Sequence, residues 1–517
     1  MNHILARVLK NTYKDSMQLM QVTEKAKRMK GVLDAAAVMA TDNNKELLRT
    51  INLLNEEGER AKADDILLVV LATGRDEAES ALQEMEKLVM QGVGAPSYID
   101  LREAIKDSRI NLAVISVPGE HAREVVVPIV ERGINVHLFS DHVSVEDEVY
   151  LKKLALEKGV LLLGPSAGTS IIGGKGIAFA NSVRRGRIGI VSASGTGLQE
   201  VSVLISLYGE GISQGFGVGG RDLSDSCMGM MTESCIKILE EDEQTDVICI
   251  ISKPPGEYAL KKLVEFIKND TKKDYVLCLL GSEELDFKEK RIIQAHSLHT
   301  AAGKSISLLG KDRQFGTSFE QLLNQSKEIK RNIADQREFI RGLFTGGTLA
   351  YESMIILQEG IGDIFSNVSI RAENKLKDPF KSHKHTVIDL GEEEFTEGRL
   401  HPMIDPTVRS IRLKQEISNK SVALIMMDVM LGYASNADPA GAIISAIGKS
   451  KDGPMIITHI CGTDQDPQNL SMQKDKLESS GISIFPSNAE MSFVAAAAFI
   501  NDNYERVKVL ARKYLAV

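Results

Sequence analysis

The sequence contains no tryptophan, its aromatic share is only 5%, and acidic residues outnumber basic ones, 71 to 62, for a net charge of −9. A nucleic-acid partner would select a basic face with rings for stacking, so this composition excludes that class. The five cysteines, Cys227, Cys235, Cys249, Cys278 and Cys461, include no C-x-x-C pair, which argues against a zinc knuckle. Apolar runs break well before the roughly 18 to 20 residues a membrane helix needs. The opening stretch, MNHILARVLKNTYKDS, has neither an apolar signal core nor a small-residue cleavage site. With no disulfide framework either, the expected compartment is the cytoplasm.

What is present is a chain of 517 residues, 43% hydrophobic and 26% charged. These shares are close to globular averages and exclude wholesale disorder. At roughly 150 residues per domain the length implies three or four cores. Residues 4–60 read as a small α/β module, followed by the polar run NEEGERAKADD. From Ile66, short apolar strands (ILLVVLA, LAVISVP, INVHLF, VLLLGP) alternate with helical patterns up to the Gly-rich stretch GPSAGTSIIGGKG. That grammar predicts βαβ units around a parallel sheet, a Rossmann-like segment. The same grammar restarts at Ile188 and again near Gly342. Residues 285–340 read as a charged helical connector.

A short motif occurs twice. IGIVSAS runs into Ser194, Gly195 and Thr196, with Glu200 four residues after the Thr; RGLFT runs into Gly346, Gly347 and Thr348, with Glu352 again four after the Thr. A Gly turn opening a helix presents unpaired N–H groups and the positive end of the dipole, which suits an anion. Either copy alone also reads as ordinary helix capping. Recurrence after two strands favours a pair of phosphate-binding helix starts.

Other phosphate signals fail. Gly303-Lys304-Ser305 resembles the end of a Walker A loop, but Leu298 stands where the first Gly belongs, and Gly176 replaces the hydroxyl residue after Gly174-Lys175. The long charged loop DLGEEEFTEGRLHPMIDPTVR gathers Arg399, His401 and Arg409, either as a solvated loop with local ion pairs or as a substrate site. Asn436 and Asp438 follow one strand, Thr463 and Asn469 another, at the ends where open α/β sheets bind ligands. The ten histidines are scattered, and no metal set is assigned. His296 and His299 read as surface residues of the connector, the alternative being a phosphorylatable nucleophile.

IGIVSASGTGLQE, GPSAGTSIIG and VPGEHA resemble the phosphate-binding and CoA-binding segments of the succinyl-CoA synthetase α subunit. NTYKDSMQLM, VMATDNNKELL, FTGGTLAYE, GRLHPMIDP, DVMLGYASNADPAGA and CGTDQDPQN, spread over nearly the whole chain, resemble the FdrA family of acyl-CoA-synthetase-like proteins. The resemblance implies an α/β architecture: a small N-terminal α/β module (1–60), a Rossmann-like CoA-binding-type domain (61–180), and two flavodoxin-like succinyl-CoA-synthetase-type domains. The first of these two (181–330) includes the helical connector; the second spans 331–517. It implies CoA as the one cofactor to consider, near Gly74, Pro118, Gly164, Pro165 and Ser166. It implies partner subunits and a homo-oligomer, without nucleic acid or membrane.

The implied activity is oxamate carbamoyltransferase, with a small carboxylate and carbamoyl phosphate as the reacting compounds. Arg399, His401 and Arg409 would be catalytic, and Asn436, Asp438, Thr463 and Asn469 would contact substrate. The turn VLATGRDEA has a single Gly where the synthetase turn is Gly-rich, HSLHTAAGK lacks the glycines that flank the synthetase phosphohistidine, and no segment resembles an ATP-grasp module. Two alternatives are an acid–thiol ligase using CoA with an external ATP-binding subunit, and a non-catalytic metabolite-binding scaffold.

Overall fold

The computed structural model describes residues 3–10, 12, 14, 16–27, 29–51, 53–91, 101–106, 109–287, 289–311, 315–448, 453–500 and 503–516. The chain forms two compact units, Met1–Asp100 with Leu390–Ile411, and Leu101–Asp389 with Arg412–Val517. No helix among the described residues is long and apolar enough to cross a membrane.

The smaller unit is built from β1 (His3–Leu9), α1 (Ser16–Lys27), β2 (Val32–Met39), α2 (Asp42–Thr50), α3 (Glu56–Glu59), β3 (Ile66–Ala72) and α4 (Arg75–Gln91). β3 is the central strand, antiparallel to both β1 and β2. Its alternate residues serve two cores. Ile66, Leu68 and Val70 pack with Leu19, Val22, Leu82 and Met85 from α1 and α4, while Leu67 and Val69 pack with Leu48 and Leu53. This corrects the expected assignment of ILLVVLA and the following helix to the Rossmann-like domain. A continuously apolar strand reports cover on both faces, which a parallel sheet usually has but does not monopolise. Gly74, expected in a CoA-binding βα turn of that domain, therefore sits in the smaller unit after an antiparallel strand.

The larger unit begins with α5 (Leu101–Ala104), β4 (Leu112–Ile115), α6 (Gly119–Glu131), β5 (Asn135–Leu138), α7 (Val145–Lys158) and β6 (Leu162–Leu163), with β4, β5 and β6 parallel. The chain then forms the hairpin β7 (Thr169–Ile172) and β8 (Lys175–Ala178), followed by β9 (Arg185–Ser192), α8 (Gly195–Leu207), β10 (Ile212–Gly217), α9 (Met230–Glu241), β11 (Val247–Ser252), α10 (Glu257–Asp270), β12 (Asp274–Leu279), β13 (Ile292–Gln294), α11 (Leu298–Leu308) and α12 (Phe319–Asn332). The segment expected as a connector thus supplies the last strand of a seven-stranded sheet, ordered β13-β12-β11-β9-β10-β7-β8.

The last part holds β14 (Phe339–Phe344), α13 (Gly347–Ile361), β15 (Thr386–Asp389), α14 (Glu393–Thr396) in the segment that belongs to the smaller unit, α15 (Thr407–Ser418), β16 (Val422–Met430), α16 (Pro439–Ile447), β17 (Met455–Cys461), α17 (Leu470–Ser479), β18 (Ser483–Phe485), α18 (Asn488–Phe499) and α19 (Tyr504–Tyr514). Its parallel sheet runs β15-β14-β16-β17-β18. In both sheets the first parallel strand, β9 or β14, lies between the second and the third, which is the flavodoxin-like order. Each repeated Gly turn therefore sits at a switch point, where the chain departs to opposite sides and leaves a crevice.

Ion pairing also organises this unit. Lys152 of α7 is fully buried and donates to Glu148 and to Asp222, each at 2.7 Å. Burial alone would lower its pKa; Asp222 and Glu148 outweigh that and hold it above the ordinary value. Asp222 also accepts from the Thr232 amide at 2.8 Å, so a single carboxylate anchors α9 and binds α7.

Candidate anion-binding site

The first helix start follows directly from its sequence. Ser194 caps α8, accepting from the Gly197 amide at 2.9 Å, and leaves the chain extended before Gly195 begins the helix. The second start has no side chain at its cap, Gly346. Buried Asp428 at the end of β16 substitutes, accepting from the amides of Thr345 at 2.8 Å and Gly346 at 2.6 Å. A Cβ at Gly347 would lie 2.5 Å from Asp389 Oδ2, so any larger residue there displaces that carboxylate.

These two starts meet. Ser194 Oγ and Thr348 Oγ1 share a hydrogen bond of 2.5 Å, and the Thr348 amide donates to Thr196 Oγ1 at 3.2 Å. Helices of 13 and 15 residues thus bring their positive ends together through hydroxyl groups. The amides of Gly195, Thr196 and Gly347 have no protein acceptor among the described residues. All six expected phosphate-binding residues therefore lie in one place. Asp389 and Asp428 limit what can bind there, because two carboxylates already offset part of the charge at α13.

About one turn further along each helix, the repeated glutamates cross over. Glu200 of α8 reaches His459 of β17: His459 Nε2 donates to Glu200 Oε2 at 2.7 Å, and His459 Nδ1 donates to the Phe485 carbonyl at 3.0 Å. Both ring nitrogens face acceptors, so the ring is the imidazolium form. Burial pushes Glu200 up, but the His459 charge outweighs it and holds the carboxyl below its ordinary value. Burial pushes His459 down, and Glu200 more than reverses the shift.

Glu352 of α13 reaches the other way, accepting from the Leu298 amide that starts α11 at 2.6 Å and from Asn488 Nδ2 at 2.7 Å. Burial pushes its carboxyl up to about 7 despite those donors. His299, expected on the surface, is only 2% exposed and pairs with Ser487 Oγ at 2.9 Å; burial pushes its pKa down to about 4. The cluster's other charged wall is Glu490, which accepts from Thr317. Sequence reading placed Glu200 and Glu352 in the motif but missed His459 and Asn488. A lone His inside the apolar run MIITHIC was the available signal.

The other expected residues serve local structure. Asp438 caps α16, accepting from Gly441 at 3.2 Å, and pairs with Lys476; Asn436 accepts from the Asp438 amide at 2.9 Å. Thr463 Oγ1 donates to the Ser182 carbonyl at 2.7 Å, and Asn469 caps α17. These four lie at the carboxyl ends of β16 and β17 as expected, and their described bonds cap helices, close turns or tie neighbouring segments together. Pro118 caps α6 after β4, while Gly164, Pro165 and Ser166 follow β6, and Ser140 joins the two turns through bonds of 3.0 Å to the Val117 and Ser166 amides. His296 stays near the surface, 3.1 Å from Glu284. Arg399, His401 and Arg409 belong to the smaller unit, apart in the chain's division from the helix starts. Arg399 Nε donates to Asn44 Oδ1 at 2.8 Å, and His401 Nδ1 accepts from the Met403 amide at 3.2 Å.

Residues 343–498 match a family model described as CoA-ligase, and residues 1–97 one described as AllF, heavy metal-associated domain. Residues 1–97 contain no cysteine and a single histidine, His3, and no cluster of three His, Cys, Asp or Glu that could hold a metal occurs among the described residues. A soft-metal site does not fit this donor set. The chain is 40% identical over 499 residues to the uncharacterized protein YahF of Escherichia coli K12, covering 94% of this chain and 96% of that one. It is 28% identical over 198 residues to the α subunit of the ADP-forming succinate–CoA ligase of Aquifex aeolicus, covering 37% of this chain and 63% of that subunit. Among solved structures, the apo dinucleotide-forming acetyl-coenzyme A synthetase 1 of Ca. Korarchaeum cryptofilum aligns with 86% of this chain and 97% of its own, at 17% identity and a TM-score of 0.34.

Proposed function

Because the chain belongs to the family of YahF, the acyl-CoA-synthetase-like family of FdrA type with succinyl-CoA-synthetase-type domains, we propose that it is the subunit of a group-transfer enzyme that works through an acyl or carbamoyl phosphate. The reaction we assign is oxamate carbamoyl transfer, oxalurate plus phosphate giving oxamate and carbamoyl phosphate, in a complex with partner subunits. The observation that carries this reading is the direct meeting of Ser194 and Thr348 at two helix starts.

A phosphate there would replace the single hydrogen bond that the Ser194 and Thr348 hydroxyls share and accept from both hydroxyls, together with the Gly195, Thr196 and Gly347 amides. One phosphate oxygen attacks the ureido carbonyl carbon of oxalurate. The new C–O bond forms, the C–N bond breaks, and the leaving nitrogen takes a proton to become the oxamate amide. The helix ends stabilise negative charge as it shifts, and one missing donor would cost about 10²-fold in rate. The Arg399, His401 and Arg409 segment carries guanidinium groups, whose bidentate geometry suits a carboxylate. Phosphate is itself the nucleophile and the ureido carbonyl of oxalurate supplies the carbamoyl group, so neither an ATP site nor a nucleophilic histidine is required. The test is carbamoyl phosphate formation from oxalurate and phosphate, by the chain alone and with the products of neighbouring genes. Absence of turnover in every combination, with normal folding, would defeat the assignment.

A second reading has its own support. Pro118 and the Gly164–Ser166 turn converge at one edge of the β4-β5-β6 sheet, in the segment that resembles a CoA-binding domain. An acid–thiol ligase with an external ATP-binding subunit would use that edge. Calorimetry with CoA separates the readings, since clear binding favours the ligase.

A further inference from the structure

The connection from β15 to α15 is far longer than a fold of this kind requires. βα connections usually take 2–6 residues, whereas here the chain leaves β15 at Asp389 and enters α15 only at Thr407. Residues Leu390–Ile411 join the smaller unit with Met1–Asp100. The excursion begins directly after Asp389, the last residue of β15. Long loops are commonly functional.

One side chain grips the excursion. Asn44, the third residue of α2 and 1% exposed, donates through Nδ2 to the Met39 carbonyl at 2.8 Å and to the Gly398 carbonyl at 2.9 Å. Its Oδ1 accepts from Arg399 Nε at 2.8 Å. The amide has both kinds of hydrogen-bonding atom engaged, and two of its three bonds go to consecutive residues more than 350 positions away. Gly398 lies in the left-handed region at φ +67, and a Cβ there would stand 3.2 Å from Thr41 Cγ2, the cap of α2. The turn is pressed onto the helix start in a conformation that favours glycine. Bonding at Nε fixes the plane of a guanidinium, and it is the plane that makes bidentate carboxylate recognition directional. Burial lowers the Arg399 pKa and Asp405 partly offsets this, so the group is held in a partly dry environment where such contacts are strong.

We propose that Asn44 is a positioning residue. Through its side-chain amide the N-terminal module orients Arg399 toward the carboxylate of a small α-oxo-amide substrate of the oxamate class. This role replaces the metal-carrying one that the donors in residues 1–97 do not fit. The substrate class rests on the carbamoyl-transfer reading; the grip itself does not.

The test uses the full chain, with partner subunits where turnover is measured. Calorimetry with oxamate and, separately, with inorganic phosphate compares the unsubstituted protein with Asn44→Ala, Asn44→Asp and Arg399→Lys. Asn44→Ala should weaken oxamate about tenfold or more, as expected for losing a hydrogen bond to a charged group, and leave phosphate within about twofold. Asn44→Asp keeps an acceptor for Nε but loses both donations to the Met39 and Gly398 carbonyls and sets a negative charge against the guanidinium, so it should weaken oxamate at least as much as Asn44→Ala. Arg399→Lys removes the Nε bond but leaves the Asn44 bonds to the Met39 and Gly398 carbonyls intact, so it reports even where an Asn44 variant folds poorly, and it too should lose oxamate selectively. In steady state the KM for oxalurate should rise with kcat retained. Unchanged oxamate affinity in Arg399→Lys, equal losses of oxamate and phosphate, or no oxamate binding by the unsubstituted protein would each overturn the proposal. Selective Asn44-dependent oxamate binding without any carbamoyl phosphate formation would instead refute the assigned reaction and uphold the positioning role.

Discussion

Replacing His459 with glutamine removes the positive half of an ion pair that lies between the two sheets of the larger unit. The pair is short, 2.7 Å, and both side chains are at most 1% exposed. Removing one partner of such a pair costs about 3–5 kcal/mol, mostly because the other charge remains buried without compensation. Glu200 can shed part of that cost by taking up a proton, and it retains the Asn488 amide at 3.2 Å. A coupling near the lower end, about 3 kcal/mol at pH 6, is therefore expected from a double-mutant cycle of Glu200→Gln and His459→Gln.

The sign of the pH dependence is fixed by the two shifts. His459 is raised above its ordinary 6.5, so its contribution is complete below that pH and is lost as pH rises through the folded value. Glu200 is lowered from 4.5, so its contribution is complete above 4.5 and is lost as pH falls through the folded value. The coupling should accordingly be greatest between about pH 5 and 6.5 and decline in alkali. Urea unfolding should be followed by hydrogen exchange at α8 and β17 amides, because a chain of two units need not unfold in one step. A coupling under about 0.5 kcal/mol at pH 6, typical of a solvated pair, would refute the reasoning, as would one that grows toward pH 9.

Glu352→Gln should flatten the pH dependence of stability. The buried carboxyl titrates near 7 instead of 4.5, so the unsubstituted protein should lose about 3 kcal/mol as pH rises from 4.5 to 8, and the variant should not, by denaturant titration at each pH. Gly347→Ala drives a Cβ into Asp389 at 2.5 Å, whereas Gly195→Ala meets Thr169 Oγ1 at 3.2 Å. The first should cut kcat/KM about 10²-fold and the second far less. Lys152→Met leaves Glu148 and Asp222 buried without their shared cation. It should destabilise by about 3–5 kcal/mol, read as a lower melting temperature.

Some of this was legible in the sequence, for identifiable reasons. The twin turns at Ser194 and Gly346 were readable because a strand, a Gly turn and a helix are local features, and their repetition marked them as equivalent. That they meet is a tertiary fact, although two switch-point turns in sister domains made it a natural expectation. ILLVVLA was read correctly as a strand covered on both faces and assigned to the wrong sheet, since burial does not encode strand direction. Asp438 and Asn469 stand at ligand-binding strand ends, but the same chemistry that suits a ligand also suits a helix cap, and capping is what the structure uses them for. The length and charge of the Arg399 loop marked it out. Its partner, Asn44, was invisible because nothing local in TDNNKELL points to a turn hundreds of residues away.

The central claim is that two helix starts form one anion site, and its most direct measurement is calorimetric titration of the full chain with carbamoyl phosphate. The account predicts one site per chain, abolished equally by Gly195→Pro and by Gly347→Pro. Two independent sites, each lost with only one of the substitutions, would contradict it.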